Sequence, residues 1–180
     1  MAKYNNVLGV KSVYFGPAGD GVMGTELTEF SDIELGSLTI EGANSTVENI
    51  STEDQYNYLT VDVTVDPTTI TVRFYGLSPE ERVMLMGGKV GTVDDGEDEG
   101  NYMAPASKPS IYGSFKFVSK EINGKRAVFK MPYAKANARD QGTATKNGLP
   151  AVEVVFTANT PESAAGEKGN PYILGFEDVV

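Results

Sequence analysis

The densest group of chemically reactive side chains is an acidic run near the middle of the sequence. Five carboxylates occupy six consecutive positions, at Asp94, Asp95, Glu97, Asp98 and Glu99. Oxygen ligands of this kind suit calcium, so the run is a candidate ion site, although its spacing does not match that of an EF-hand loop. A run of like charges is also typical of a solvated, self-repelling loop. The sequence favours the solvated loop and leaves the calcium site open.

A second candidate is a pair of carboxylates suited to glycoside hydrolysis. Asp62 and Asp66 lie on one face of a predicted strand, about 13 Å apart at ~3.3 Å per residue. That separation is too large for the acid and the base of a hydrolase. Carboxylates of different strands could still meet, but the chain has no Trp to form a sugar-binding platform.

The composition removes most other chemistry. Among 180 residues there is no Cys and no His, which excludes disulfides, thiolate nucleophiles and the commonest general base and metal ligand. With 15 Lys+Arg against 25 Asp+Glu, the net charge of −10 opposes tight binding of phosphate backbones. The glycines at Gly19-Asp20-Gly21 and Gly87-Gly88 do not lead into a helix, as a phosphate-binding loop requires. We therefore predict that the chain is not an enzyme and holds no cofactor or metal.

The apolar segments are too short for a membrane or a secretory signal. No stretch approaches the ~18 consecutive apolar residues of a membrane helix. The residues Met1–Asn6 are followed by no apolar region typical of a signal peptide. We expect synthesis and folding in a cytosol, with no membrane anchor.

Period-two patterning dominates the elements that would position these residues. From Leu59 to Asp66 apolar and polar residues alternate strictly, which predicts a strand with one buried and one wet face. The predicted buried face is Leu59, Val61, Val63 and Val65, and the predicted wet face is Thr60, Asp62, Thr64 and Asp66. Beyond Pro67 a second strand has Ile70, Val72 and Phe74 inward and Thr69, Thr71, Arg73 and Tyr75 outward. We predict that these two strands form an antiparallel hairpin.

Other elements have local signals. Asn123-Gly124 predicts a tight hairpin, because both positions of a type I′ turn need positive φ. It joins strands at Ile111–Ile122 and Lys125–Met131, and further strands are predicted at Val7–Phe15, Ser37–Glu41 and Ala151–Ala158. Ser78-Pro79-Glu80-Glu81 predicts the capped start of a helix that ends at Gly87-Gly88. A helix of about two turns is not stable alone, so it must pack on a sheet or a neighbouring chain.

The chain therefore reads as one mainly β domain over residues 1–159 with a C-terminal arm over 160–180. Two long polar loops are predicted at 43–57 and 94–109. Exposed strand edges invite pairing with another chain unless something covers them, and ordered self-assembly is one way to cover them.

Four segments follow one another in a recognisable order. An acidic, glycine-containing stretch lies at Asp32–Gly42, and a strand pair leads into the helix and its glycines over Val72–Gly88. A third segment runs from Phe115–Phe117 across the Asn-Gly turn to Val128–Ala136, and the last is Thr143–Ala158. This order resembles that of the major tail tube proteins of long-tailed bacteriophages, and it is similar to subunits of type VI secretion and other injection tubes.

The resemblance covers residues 7–160. It implies a two-sheet β-sandwich or partial barrel with one short flanking α-helix. It implies hexameric rings that stack into a tube in the virion, made in the cytoplasm of a bacterial host, through which DNA passes without specific binding. Expected partners are other copies of the chain, the tape measure protein, and the tail terminator and distal tail proteins.

Three groups of residues fit such a tube. A wet, acidic face could line the lumen and repel DNA, and its candidates are Thr60, Asp62, Thr64, Asp66, Thr69 and Thr71. The candidate contacts between subunits on the helix are Val83, Met84, Leu85 and Met86. The candidate loop for ring stacking is the acidic run, Asp94, Asp95, Glu97, Asp98 and Glu99.

Two alternatives stay open. Another virion structural protein, such as a tail terminator or capsid decoration protein, would share the sheet-rich composition but form rings or trimers that do not elongate. A carbohydrate- or calcium-binding β-sandwich module is a reading of another class, motivated by the acidic run.

Overall fold

A computed structural model describes residues 9–56, 59–121, 123–142 and 151–179. The chain is mainly β, with 52% of the described residues in strands and 9% in helices. The strands are β1 (Val10–Gly16), β2 (Thr28–Phe30), β3 (Thr39–Glu41), β4 (Asn44–Ile50), β5 (Leu59–Asp66), β6 (Thr69–Tyr75), β7 (Lys89–Val90), β8 (Tyr102–Met103), β9 (Ile111–Ser119), β10 (Lys125–Gln141), β11 (Ala151–Asn159) and β12 (Ile173–Asp178). Helix α1 (Pro79–Met86) follows β6, and a 3₁₀ turn (Val93–Asp98) follows β7.

Eight strands form one antiparallel sheet. Its order is β2-β1-β9-β10-β11-β6-β3, and β12 pairs with the first half of the long strand β10. Two small two-stranded sheets, β4–β5 and β7–β8, accompany it among the described residues. We call the eight-stranded sheet with helix α1 the body.

The sheet of the body rolls up until its two ends meet. Beyond β2 the chain crosses to β6, where Ile33 bridges Phe74 and the Tyr75 amide donates to the Asp32 carbonyl at 2.9 Å. The roll brings the rings of Phe15 (β1) and Phe156 (β11) to 5.4 Å between centroids, although two strands separate them in the sheet order. This confirms the predicted mainly β fold, a β-sandwich or partial barrel with one short helix.

One apolar core fills the roll. Its largest fully buried side chains are Phe15, Phe30, Phe74, Phe115, Phe156, Ile70, Leu85 and Met131. Burying a Phe or Leu side chain stabilises by about 1.5–3 kcal/mol, so these residues account for much of the stability of the body.

The two locally encoded elements are as predicted. Asn123 and Gly124 have φ of 53° and 75°, as a type I′ turn requires. At the start of α1 the Ser78 hydroxyl accepts from the Glu81 amide at 3.2 Å, and the Glu81 carboxylate accepts from the Ser78 amide at 2.7 Å. Gly87 follows the helix with φ 77°.

One predicted loop is wrong, and the second predicted loop and the predicted arm contain regular elements. The segment 43–57, predicted as a loop, contains strand β4. The segment 94–109 contains a 3₁₀ turn and β8, and the arm 160–180 contains β12. Of the predicted strands, Val7 and Leu8, Ile122 and the side chain of Val63 lie outside the described residues, as do residues 143–150 of the segment that carries the resemblance.

The prediction that β5 and β6 form a hairpin is also wrong. β6 lies between β11 and β3 in the body, and β5 pairs with β4 in a separate ribbon. The alternating pattern of β5 identified a strand correctly, but the described side chains of its predicted buried face, Leu59, Val61 and Val65, are exposed.

Candidate assembly surfaces

The β4–β5 ribbon is exposed along the whole of its described length. It continues the β3–β6 pair beyond the body, because β4 follows β3 after Gly42-Ala43 and β5 precedes β6 across Pro67-Thr68. At ~3.3 Å per residue, the eight residues of β5 extend about 26 Å. Every residue of β4, and every residue of β5 whose side chain is described, is exposed. We call β4, β5 and their connection the hairpin.

The hairpin exposes apolar side chains on both of its faces. Their exposed fractions lie between 40% and 66%, and they are Val47, Ile50, Leu59, Val61 and Val65. A two-stranded ribbon is at best marginally stable in water and needs a third strand or a packed face. The described residues of the body supply neither to the hairpin.

A β-bulge divides the residues of the hairpin between its faces. The register passes from Thr64 opposite Thr46 to Asp62 opposite Val47, so β5 has one more residue than β4 in this interval. Directly paired residues share a face. Thr60 and Asp62 therefore lie on one face with Val65, while Thr64 and Asp66 lie on the other. The prediction that these four polar residues share one face is wrong.

The other two candidate lumen residues lie on the body. Thr69 and Thr71 are half-buried on β6, between β3 and β11. The six candidates are thus divided among both faces of the hairpin and the outer face of the body. That any of them faces a lumen stays a prediction.

The hairpin is uniformly acidic. Residues 43–66 contain no Lys or Arg and five acidic residues, Glu48, Glu53, Asp54, Asp62 and Asp66. The seven ion pairs of the described chain involve none of these carboxylates. The hairpin therefore presents uncompensated negative charge beside exposed aliphatic side chains.

Helix α1 contributes mainly to its own chain. Leu85 is 1% exposed and belongs to the core of the body. Val83, Met84 and Met86 are half-buried. Leu85 is therefore not accessible to another subunit in this conformation, and an inter-subunit contact of the other three stays a prediction.

One carboxylate of the acidic run, that of Asp95, forms hydrogen bonds within its own chain. Asp95 accepts from the Thr92 amide at 2.8 Å and from the Lys89 ammonium at 3.0 Å. The Thr92 amide, followed by the Lys89 ammonium, lowers the pKa of Asp95 to about 2. Asp94, Glu97, Asp98 and Glu99 are exposed. Across the described ranges no three acidic side chains stand close enough to hold a metal ion, and a role of the run in ring stacking stays a prediction.

A cluster of tyrosine and lysine side chains lies on the outer face of the body and was not predicted from the sequence. Tyr112 of β9 and Tyr133 of β10 stack with centroids 5.3 Å apart and planes 10° apart. The Lys135 ammonium lies 5.9 Å from the centre of the Tyr112 ring, and Lys108 donates to the side chain of Asn137 at 2.6 Å. We call Tyr112, Tyr133, Lys135 and Lys108 the platform. The alternation of Tyr133 and Lys135 with buried alanines along β10 was the available signal.

No protein-family model and no curated protein matches the chain. Within the described part, no helix has the length and apolar content needed to cross a bilayer.

Proposed function

We propose that this chain is a structural subunit that assembles with copies of itself, and that the assembly is the tube of a bacteriophage tail. The hairpin is the observation that carries the proposal. A ribbon about 26 Å long with exposed aliphatic side chains on both faces is poorly suited to a molecule that stays alone.

Contact with another copy would cover both the exposed aliphatic side chains of the hairpin and its unpaired strand edges. Packing the aliphatic side chains of its faces withdraws apolar surface from water, which favours association. The outer edges of β4 and β5, which pair only with each other in the described chain, are templates for pairing with another strand. Every further copy of the chain carries the same apolar faces and strand edges, so each added subunit can bind the next one.

The geometry of such a contact favours rings or filaments. The hairpin of one copy meets a different surface of the next copy, so the contact is heterologous, and heterologous contacts close into rings or continue as helical filaments. A stack of such rings is a tube. The phage assignment itself rests on the resemblance of the sequence motifs.

The charge of the chain suits the passage of DNA. A net charge of −10 keeps most surfaces from holding the phosphate backbone. In this proposal the subunit has no catalytic task, resides in the virion, and contacts the tape measure, tail terminator and distal tail proteins at the ends of the tube.

Electron microscopy of concentrated wild-type protein, with analytical ultracentrifugation, tests this function. We expect rings and hollow stacks, sixfold by the resemblance. The matched control replaces residues 43–67 by a short glycine linker, which leaves Thr68 in place and joins Glu41 to Thr69, its partner in the β3–β6 pair. We expect this control to keep the unfolding transition of the body and to remain monomeric.

Two outcomes would change the proposal. A wild-type chain that is monomeric at every concentration contradicts it. Closed rings that never stack would support a different virion component, such as a terminator or a decoration protein, over a tube subunit.

A further inference from the structure

We propose that the hairpin of one copy lies on the platform of a neighbouring copy, with Glu48 next to Lys135. This inference rests on the proposed function, because it names the surface that receives the hairpin. Three observations support it: the platform is exposed, its two lysines are in no described ion pair, and one face of the hairpin carries a complementary pattern of side chains.

The platform is an open, aromatic area of a sheet. Tyr112 is 45% exposed, Lys135 is exposed and Tyr133 is half-buried. Lys135 is paired with Tyr112 on one side and with Thr157 on the other. Exposed tyrosines are enriched at protein interfaces because they offer a large apolar ring with a polar tip.

The charge of the platform lacks a carboxylate within the described chain. Some cations of the described chain have a carboxylate partner, as in Arg73–Glu34 at 2.8 Å and Arg139–Glu153. The described ion pairs include neither Lys135 nor Lys108, and they also leave out Lys11, Lys116, Lys120 and Lys168. Lys108 instead donates to the Asn137 side chain and to the Ala138 carbonyl, at 2.6 and 2.7 Å. The platform therefore offers positive charge to an incoming carboxylate.

One face of the hairpin matches the platform in chemistry. Ile50 pairs with Leu59 and Glu48 pairs with Val61, so these four side chains share a face. The three aliphatic side chains of this face can cover the tyrosine rings, while the carboxylate of Glu48 contacts a lysine. The opposite face, with Val47, Val65 and Asp62, is left for solvent or for a third copy.

A second copy fits better than a nucleic acid. The platform has only two cationic side chains, both lysines, with which to hold a phosphate backbone. In addition, the net negative charge of the whole chain repels such a backbone. The hairpin supplies both the aliphatic surface and the carboxylates that the platform lacks. Because hairpin and platform are different surfaces of one chain, each copy donates one and receives the other.

Carbodiimide cross-linking of an equal mixture of ¹⁴N and ¹⁵N full-length protein tests the contact. This reagent joins lysine and carboxylate side chains that touch, and peptides of mixed isotope report links between copies. We expect mixed-isotope links from Lys135 or Lys108 to Glu48, lost at high salt. Links between copies at other sites, with none to the platform, would overturn this inference and leave the tube subunit proposal standing. Absence of all links and all assembly would overturn both.

Charge reversal tests the same pair independently. K135E and E48K should each raise the concentration needed for assembly about tenfold or more, because like charges then face each other. The double variant K135E/E48K should restore assembly. K120E is the matched control, since Lys120 is exposed at the other end of β9 and should leave assembly unchanged. Unaltered assembly of K135E, or failure of the double variant while both single variants are folded, would contradict the pairing.

A single-stranded oligonucleotide examines the competing occupant. In a fluorescence anisotropy titration with a labelled oligothymidylate, we expect no binding that depends on Lys135. Binding that K135E abolishes, together with normal assembly of that variant, would assign the platform to nucleic acid and overturn the inference.

Discussion

The body and the hairpin are built from the same kind of strand but differ in what covers them. In the body, β2 leads across to β6 and the rolled sheet encloses Phe15, Phe115 and Phe156 in a single core. The hairpin continues two strands of that sheet and has no third strand and no buried face among the described residues. The body buries its apolar side chains within one chain, whereas the hairpin leaves its apolar side chains exposed, and for this reason we propose that another copy covers the hairpin.

The largest expected effect separates the two regions by stability. Phe156→Ala should lower the free energy of unfolding by about 3–5 kcal/mol, because it empties a fully buried site against Phe15 and Phe115. Urea denaturation of dilute protein measures this loss. A loss below about 1 kcal/mol would mean that the core collapses around the cavity, and the contrast with the hairpin would disappear.

The matching change in the hairpin should affect assembly and spare stability. Leu59→Ser with Val61→Ser should leave the unfolding free energy within about 0.5 kcal/mol, since both residues are exposed. The same variant should assemble only at much higher concentration. Val47→Ser with Val65→Ser is the matched control on the opposite face, and sedimentation velocity compares the two. A greater loss of assembly in this control variant would indicate that the contact uses the face of Val47 and Val65 instead.

A smaller effect on stability is expected at the N-terminal cap of helix α1. Ser78→Ala removes the hydroxyl that caps α1 and should cost about 1 kcal/mol of stability. Thermal unfolding followed by circular dichroism measures it. An unchanged midpoint would show that packing of Leu85 alone holds the helix.

The smallest effect concerns pH. The pKa of Asp95 is lowered to about 2 by its bonds to Thr92 and Lys89. Its folded pKa lies below its unfolded value of about 3.9, so its contribution is present above pH ~4 and is lost as the pH falls towards ~2. NMR titration should show the 3₁₀ turn loosening over this range while the body keeps its signals, and Asp95→Asn should remove the effect. A titration midpoint near 4 would contradict the bonded geometry.

Local signals in the sequence predicted local structure well. Asn123-Gly124 required positive φ at both positions, and Ser78 with Glu81 required a reciprocal cap, and both are present. These predictions depended on neighbouring residues only. The mainly β fold followed from the same kind of evidence, because alternation identifies strands wherever they lie.

Pairing between distant segments was not predictable in this way. Alternation in β5 is the same whether its apolar side is buried or bare, so the pattern assigned it to β6 and missed β4. The bulge beside Thr64 moves the residues that follow it to the opposite face from the one that strict alternation predicts, and no residue type in the sequence indicates a bulge there. The platform was missed because Tyr112 and Tyr133 become neighbours only when β9 and β10 pair.

Amide hydrogen exchange, read residue by residue at two protein concentrations, tests the central contrast most directly. In dilute protein we predict slow exchange for the paired amides of β9, β10 and β11 and fast exchange for those of β4 and β5, because an isolated ribbon opens readily. At concentrations where assemblies form, the amides of β4 and β5 should become protected while those of the body change little. Full protection of the hairpin in the dilute monomer, or fast exchange of the hairpin within the assembly, would contradict the account.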